Sequence, residues 1–530
     1  MNGLNFHMAY HPVTIHLALI AHTNAGKTTL ARTLLSRDIG EVRDAPHVTD
    51  LAEAHVLIES EQGDSLRLWD TPGFGDSTRL ARRLAVADNP IGWLLREVWD
   101  RFRDRPLWCS QHAVRAAREQ ADVLLYLVNA AEDPRDAGYV VPEMQVLGWV
   151  GKPIIVLLNQ TGPPRPAEEE REEIERWREY LSPFVLVADV LALDAFARLW
   201  IHERVLFEAV GRVVPAPKRH GYARLLTAWE TRNRTRYDEA MRLLAKQTLA
   251  AAIDSESIEL SPATAFEKVL RTVGAGDMRE TAAHKRAMHA LSARIDQGIG
   301  ETTDALIVLH GLQGEAARTV LERMRENFAL PPRLDEGRTA LFGGVLTGAL
   351  TGLKADLAAG GLTFGAGALI GGVLGGLGAA GVARGFNKMS GATKPRLRWS
   401  DEFLDDLVRA NVLRYLAVAH FGRGRGRWTQ GEAPAFWRTE VERVVAAYAS
   451  TLHRAWDAAR ASTNNDGDMP NNAHSSRDAS SIAGTLIVVY ESVTADVLAR
   501  LYPANARLEL ARPRAAADNA ASRDTFAPLP

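Results

Sequence analysis

The sequence has a single cysteine, Cys109, so no disulfide can form within the chain. No basic stretch precedes the first apolar run, so nothing marks a secretory leader, and a reducing, cytoplasmic setting is expected. An excess of either charge is missing too: 63 Lys and Arg face 65 Asp and Glu, for a net charge of -2. That balance excludes a uniformly basic nucleic-acid coat, and no specific nucleic-acid partner is expected. A hydrophobic share of 46% excludes bulk disorder. Proline is nearly absent between Tyr222 and Glu326, where only Pro262 interrupts a stretch rich in Ala, Leu, Arg and Glu. Glycine is what abounds, unevenly: about a third of the 42 lie between Leu341 and Ala383.

A chain of 530 residues is too long for one compact core. From residue 13 to 213 short apolar runs alternate with longer amphipathic segments, the pattern of an α/β domain with a parallel-type sheet and helices on both faces. The runs predict strands at Thr14 to Ile20, Ala54 to Glu59, Ser65 to Asp70, Asp122 to Asn129, Pro153 to Asn159 and Phe184 to Val190. Residues 77–120 form an unusually long connection with apolar residues at helical spacing, a helical insertion. Past Pro215 the strand signal stops, and residues 214–460 read as a mostly α-helical domain. Residues 461–480 are polar and read as a disordered linker, 481–503 as a last helix and 504–530 as a disordered tail.

The first strand runs into Ala21-His22-Thr23-Asn24-Ala25-Gly26-Lys27-Thr28-Thr29 and then an apolar helix. This is a phosphate-binding (P-loop) pattern in its strand-loop-helix context, with Ala21 in place of the first glycine. A tight loop at a helix N-terminus turns backbone N–H groups toward phosphate oxygens. Gly26 lets the backbone approach, Lys27 supplies a point charge and the Thr28 hydroxyl can ligate Mg²⁺. The third strand ends in Asp70-Thr71-Pro72-Gly73, where an Asp at a strand tip can hold the same Mg²⁺ and the Gly73 N–H can sense a terminal phosphate. Between the two motifs Thr49 is the candidate for a second metal-ligating hydroxyl. Lys27, Thr49 and Gly73 are thus the candidate catalytic residues, and Thr28, Thr49 and Asp70 the metal ligands. The candidate nucleotide-binding set is Thr23, Asn24, Ala25, Gly26, Lys27, Thr28, Thr29, Asp70, Gly73, Asn159 and Gln160.

These residues resemble the bacterial P-loop GTPases of the Era and TrmE class. Leu158-Asn159-Gln160-Thr161-Gly162, Leu191 to Arg198 and Gly352 to Thr363 further resemble a family that joins such a GTPase to a C-terminal domain of unknown function 3482. The resemblance implies a G domain binding GTP and GDP with Mg²⁺ and a GTPase activity. For Asn24 it implies a K⁺ ion beside the phosphates, with G domains pairing face to face as a homodimer. Two departures stand out. Gly162 occupies the place of the carboxylate that reads guanine, which leaves an ATPase as the alternative; Asp194 reads either as a compensating acid or as a helix N-cap. Phe74 stands where a water-orienting glutamine is usual, which predicts slow hydrolysis, or a scaffold that holds nucleotide without turning it over.

Residues 339–384 form a glycine-rich hydrophobic hairpin. Gly344, Gly348 and Gly352, then Gly367, Gly371 and Gly375, recur four apart, the small-residue stripe of a glycine zipper. The uncharged run Leu357 to Ala383 is long enough to cross a bilayer, and basic residues flank the pair on both sides. The expected partners are therefore membrane lipid or a membrane protein, with association to the inner membrane through this hairpin. A soluble packed hairpin is the other reading.

Overall fold

The computed structural model describes residues 11–23, 25–35, 53–86, 89–90, 92, 105–161, 167–193, 199–257, 277–311, 386–389, 396–420, 435–464 and 472–502. The chain divides into two compact units, Met1–Thr235 with His420–Pro434 and Arg236–Ala419 with Ala435–Pro530.

In the first unit the described elements run β1 (Thr14–Ala21), α1 (Lys27–Leu35), β2 (Glu53–Glu59), β3 (Ser65–Asp70), α2 (Ser77–Leu84), α3 (Arg105–Glu119), β4 (Val123–Asn129), α4 (Val140–Val150), β5 (Ile154–Asn159), α5 (Ala167–Leu181), β6 (Val187–Ala192) and α6 (Trp200–Val213). The sheet order is β2-β3-β1-β4-β5-β6. All pairings are parallel except β2 with β3, which form an antiparallel hairpin turning at Gly63. Strands buried on both faces need apolar residues at every position, which is why β4 and β5 read as unbroken runs. Ile15, Leu17, Leu19, Val123, Leu125, Leu127, Ile155 and Leu157 face α1, α6 and the residues Tyr222 to Trp229. Ala18, Ile20, Leu124, Tyr126, Val128, Val156 and Leu158 face α2, α3, α4 and α5. The last strand starts later than its sequence pattern predicts, because Phe184–Val187 closes a turn in which the Val187 N–H donates to the Phe184 carbonyl at 2.9 Å. Only part of the 77–120 insertion is described, as α2 and α3.

The second unit is mostly helical: the C-terminal part of α7 (Arg219–Ile253), α8 (Asp277–Leu309), α9 (Asp401–Ala419), α10 (Ala435–Ala447), α11 (Ala449–Asn464) and α12 (Asn472–Leu501). It also contains strands that the sequence pattern missed. β7 (Ser255–Ser257), β8 (Phe386–Met389) and β9 (Arg396–Trp399) make an antiparallel sheet in the order β7-β9-β8. Such short strands lack a periodic signal, and the pairing of β7 with β9 joins segments far apart in the chain. Two expected boundaries also move. Residues 461–464 continue α11 and α12 starts at Asn472, so only 465–471 separate the two helices. The hairpin 339–384 and the tail from 504 lie outside the described residues. One described segment, Ala479–Leu501 in α12, is long and apolar enough to cross a bilayer. Half of it is buried within the unit, with Leu486, Val489, Tyr490, Val493 and Val497 in the core, as in an ordinary bundle helix.

Candidate functional site

β1 and β3 lie side by side in parallel with Leu19 opposite Asp70, so both chains leave the sheet together at its C-terminal edge. Past that edge the two loops are stitched by backbone. The Phe74 N–H donates to the Ala21 carbonyl at 2.9 Å, and the Thr23 N–H and hydroxyl donate to the Phe74 carbonyl at 3.1 and 2.7 Å. The loop of β1 then turns through Gly26, whose φ of +87° an L side chain rarely adopts. A Cβ there would also lie 2.7 Å from Asn159 Nδ2. Helix α1 starts at the next residue, and the Leu30 N–H closes its first turn on the Gly26 carbonyl at 2.9 Å.

Asn159, at the end of β5, is wholly buried and donates to the Ala25 carbonyl at 3.0 Å. It thus braces the loop from the far strand. Gln160 follows in the left-handed backbone region, with its amide 3.7 Å from where a Gly26 Cβ would stand. Gly73 packs equally closely: a Cβ there would lie 3.0 Å from Lys27 Nζ and 3.1 Å from Thr23 Cα. Lys27 and Thr29 are buried at the start of α1. The Thr28 hydroxyl donates to Asp70 Oδ2 at 2.7 Å, while Asp70 Oδ1 is buried with no hydrogen-bond partner. Of the residues predicted from sequence, Thr23, Ala25, Gly26, Lys27, Thr28, Asp70, Gly73, Asn159 and Gln160 thus fall around one loop. Asn24 and Thr49 lie outside the described residues, as do Gly162 and Asp194.

Burial dominates the electrostatics. It pushes the Lys27 ammonium below its ordinary pKa, against the pull of Asp70 and Glu143. It pushes the Asp70 carboxyl upward, against Lys27 and the Thr28 hydrogen bond. Two desolvated opposite charges beside an orphaned acceptor make a site that gains by admitting further charge, a phosphate against Lys27 and a cation against Asp70. The donor set fits a hard divalent cation, with a hydroxyl and a carboxylate oxygen on adjacent elements. Phe74 is wholly buried among Leu80, Leu84 and Leu107, so its ring belongs to the core.

A second layer was not foreseen in the sequence. His22 Nδ1 lies 2.7 Å from Glu143 Oε1, and the Tyr126 hydroxyl donates to Glu143 Oε2 at 2.7 Å. Tyr139 stacks on the His22 ring with centroids 4.5 Å apart. Burial raises the Glu143 carboxyl, while His22, Tyr126 and Lys27 pull it back. The available signal was one lone acid in the otherwise uncharged segment Val140–Val150. Beyond Gly73, the Gly75 N–H donates to Ser110 Oγ of α3 at 3.2 Å, so the insertion supports the loop after Gly73.

A family profile described as 50S ribosome-binding GTPase matches residues 16–160, and one described as a domain of unknown function (DUF3482) matches residues 178–483. No curated protein matches the chain. Among solved structures, a complex of Era with MgGDPNP and a segment of 16S ribosomal RNA is 16% identical, covering 54% of this chain and 90% of that one, with a TM-score of 0.29. A GDP and aluminium fluoride complex of an Era variant from Aquifex aeolicus is also 16% identical, covering 48% and 75%, with a TM-score of 0.27.

Proposed function

The chain belongs to the DUF3482 family and carries a GTP-binding G domain ahead of it, and from that premise we propose that it is a slow GTPase whose helical region docks on a membrane. The observation that carries the nucleotide reading is the Thr28–Asp70 contact beside buried Lys27, with Asp70 Oδ1 left without a partner. In this reading Lys27 neutralises the outer phosphates and Gly73 presents its N–H to the last of them. Backbone groups of Thr23, Ala25 and Gly26 cradle the rest, and Asn159 and Gln160 support the base side. Thr28, Asp70 and Thr49 would hold Mg²⁺, which supplies charge stabilisation on the phosphoryl oxygens. The burial of Phe74 leaves no side chain at that position to orient water, which supports slow turnover.

A K⁺ ion held through Asn24, with two G domains face to face, would accelerate it. In that case phosphate release rises when K⁺ replaces Na⁺ at constant ionic strength, and Asn24→Ala loses the rise. The second reading, an ATPase, follows from Gly162 standing in place of the base-reading acid. Competition between a fluorescent guanine nucleotide and ATP decides between them. GTP and GDP are expected to win, by a smaller ratio than a complete guanine-reading motif gives. Equal or better ATP binding would overturn the GTPase assignment, and Lys27→Ala should weaken triphosphate binding in either case.

A further inference from the structure

Glu143 is the one charged residue of α4, and it is wholly buried. A carboxylate in that position costs stability unless each oxygen finds a donor. Both do, and one donor is remote: the Tyr126 hydroxyl on Oε2 belongs to the neighbouring strand, while the His22 ring on Oε1 belongs to the phosphate loop, 121 residues away in sequence. His22 is thus gripped on its edge by Glu143 and on its face by Tyr139. This grip adds to the bonds from Phe74 and Asn159 at the one long contact of the loop, where the Ala25 N–H reaches the His22 carbonyl only at 3.4 Å. Holding the His22 side chain restrains the backbone of that residue, and with it the carbonyl that meets the Ala25 N–H.

We propose that Glu143 is a positioning residue for the phosphate loop, acting through His22 to hold the backbone in the shape that receives phosphate. This rests on the nucleotide-binding reading above. A pre-shaped loop spends none of its binding energy on ordering itself, so the contribution appears as nucleotide affinity. The hydrogen bond is the agent, so an amide in place of the carboxylate preserves the effect.

Affinity of the full-length chain for fluorescent GDP and GTP analogues tests this, with thermal melting of each variant measured without nucleotide. Glu143→Leu should weaken both nucleotides about tenfold, the share of one buried hydrogen bond to a charged group. Glu143→Gln should restore affinity to within about twofold of wild type. His22→Ala should match Glu143→Leu, and the double variant should be no weaker than either alone. Tyr126→Phe removes the other bond to the same carboxylate, and should lower the melting temperature while leaving affinity unchanged. Wild-type affinity in Glu143→Leu, or a Tyr126→Phe loss as large as that of Glu143→Leu, overturns the proposal. If Glu143→Leu does not fold, unchanged affinity in His22→Ala overturns it. Those outcomes leave nucleotide binding itself intact, as loss of binding in Lys27→Ala would demonstrate. A wild-type chain that binds no nucleotide removes both readings together.

Discussion

Single buried groups in this chain are set by what surrounds them more than by their type. His310 shows it in the helical unit, where burial lowers its pKa from 6.5 to about 4 despite the Leu306 carbonyl 2.9 Å from Nδ1. The sign follows from proton counting. Above pH 6.5 the imidazole is neutral in both states and has no effect. Between 6.5 and 4 the unfolded chain takes up a proton that the folded one refuses, so stability falls as pH falls, and below about 4 the loss is complete. The ceiling is about 3 kcal/mol, reduced because the residue as a whole is only half-buried. Urea midpoints of wild type should drop between pH 7 and 4.5 by more than those of His310→Gln, and parallel curves would refute this.

At the scale of elements, the helical unit is joined by a buried polar network. Arg414 of α9 donates to Gln247 Oε1 of α7 at 2.6 Å, to the Ile299 carbonyl and Thr303 Oγ1 of α8 at 3.1 Å, and to Asn411 Oδ1 at 2.5 Å. Asn411 in turn donates to Thr248 of α7 and Tyr490 of α12. Burial lowers the guanidinium to about 10. An apolar core would weld these helices at less cost in desolvation, but a network with fixed partners admits one register only. Arg414→Met strands several acceptors at once, and should cost roughly 3 kcal/mol. Denaturation followed by circular dichroism should show the loss, and a neutral result would mean that the acceptors find other donors.

For the whole molecule, the glycine-rich segment 339–384 sets the test of location. If residues 339–384 dock on lipid, the full chain sediments with liposomes and a version lacking Leu341 to Ala383 stays in the supernatant. Equal sedimentation of both would assign the binding elsewhere. Segment Ala479–Leu501 has the composition of a membrane span, yet its buried side belongs to the bundle. Composition measures what a helix can tolerate, and packing decides what it faces.

The sequence by itself determined the α/β and helical halves, the order of the strands along the chain and the loop that carries Lys27 and Thr28. Each is written locally, in two-sided apolar runs and in a strand-loop-helix motif that neighbouring residues alone make recognisable. Tertiary structure alone decided what meets that loop. Asn159 arrives from another strand to hold the Ala25 carbonyl, and Glu143 arrives from α4 to hold His22. The pairing of the short strands Ser255–Ser257 and Arg396–Trp399 belongs to the same class. Contacts of this kind depend on which segments the folded chain brings side by side, and no periodicity records a partner more than a hundred residues away.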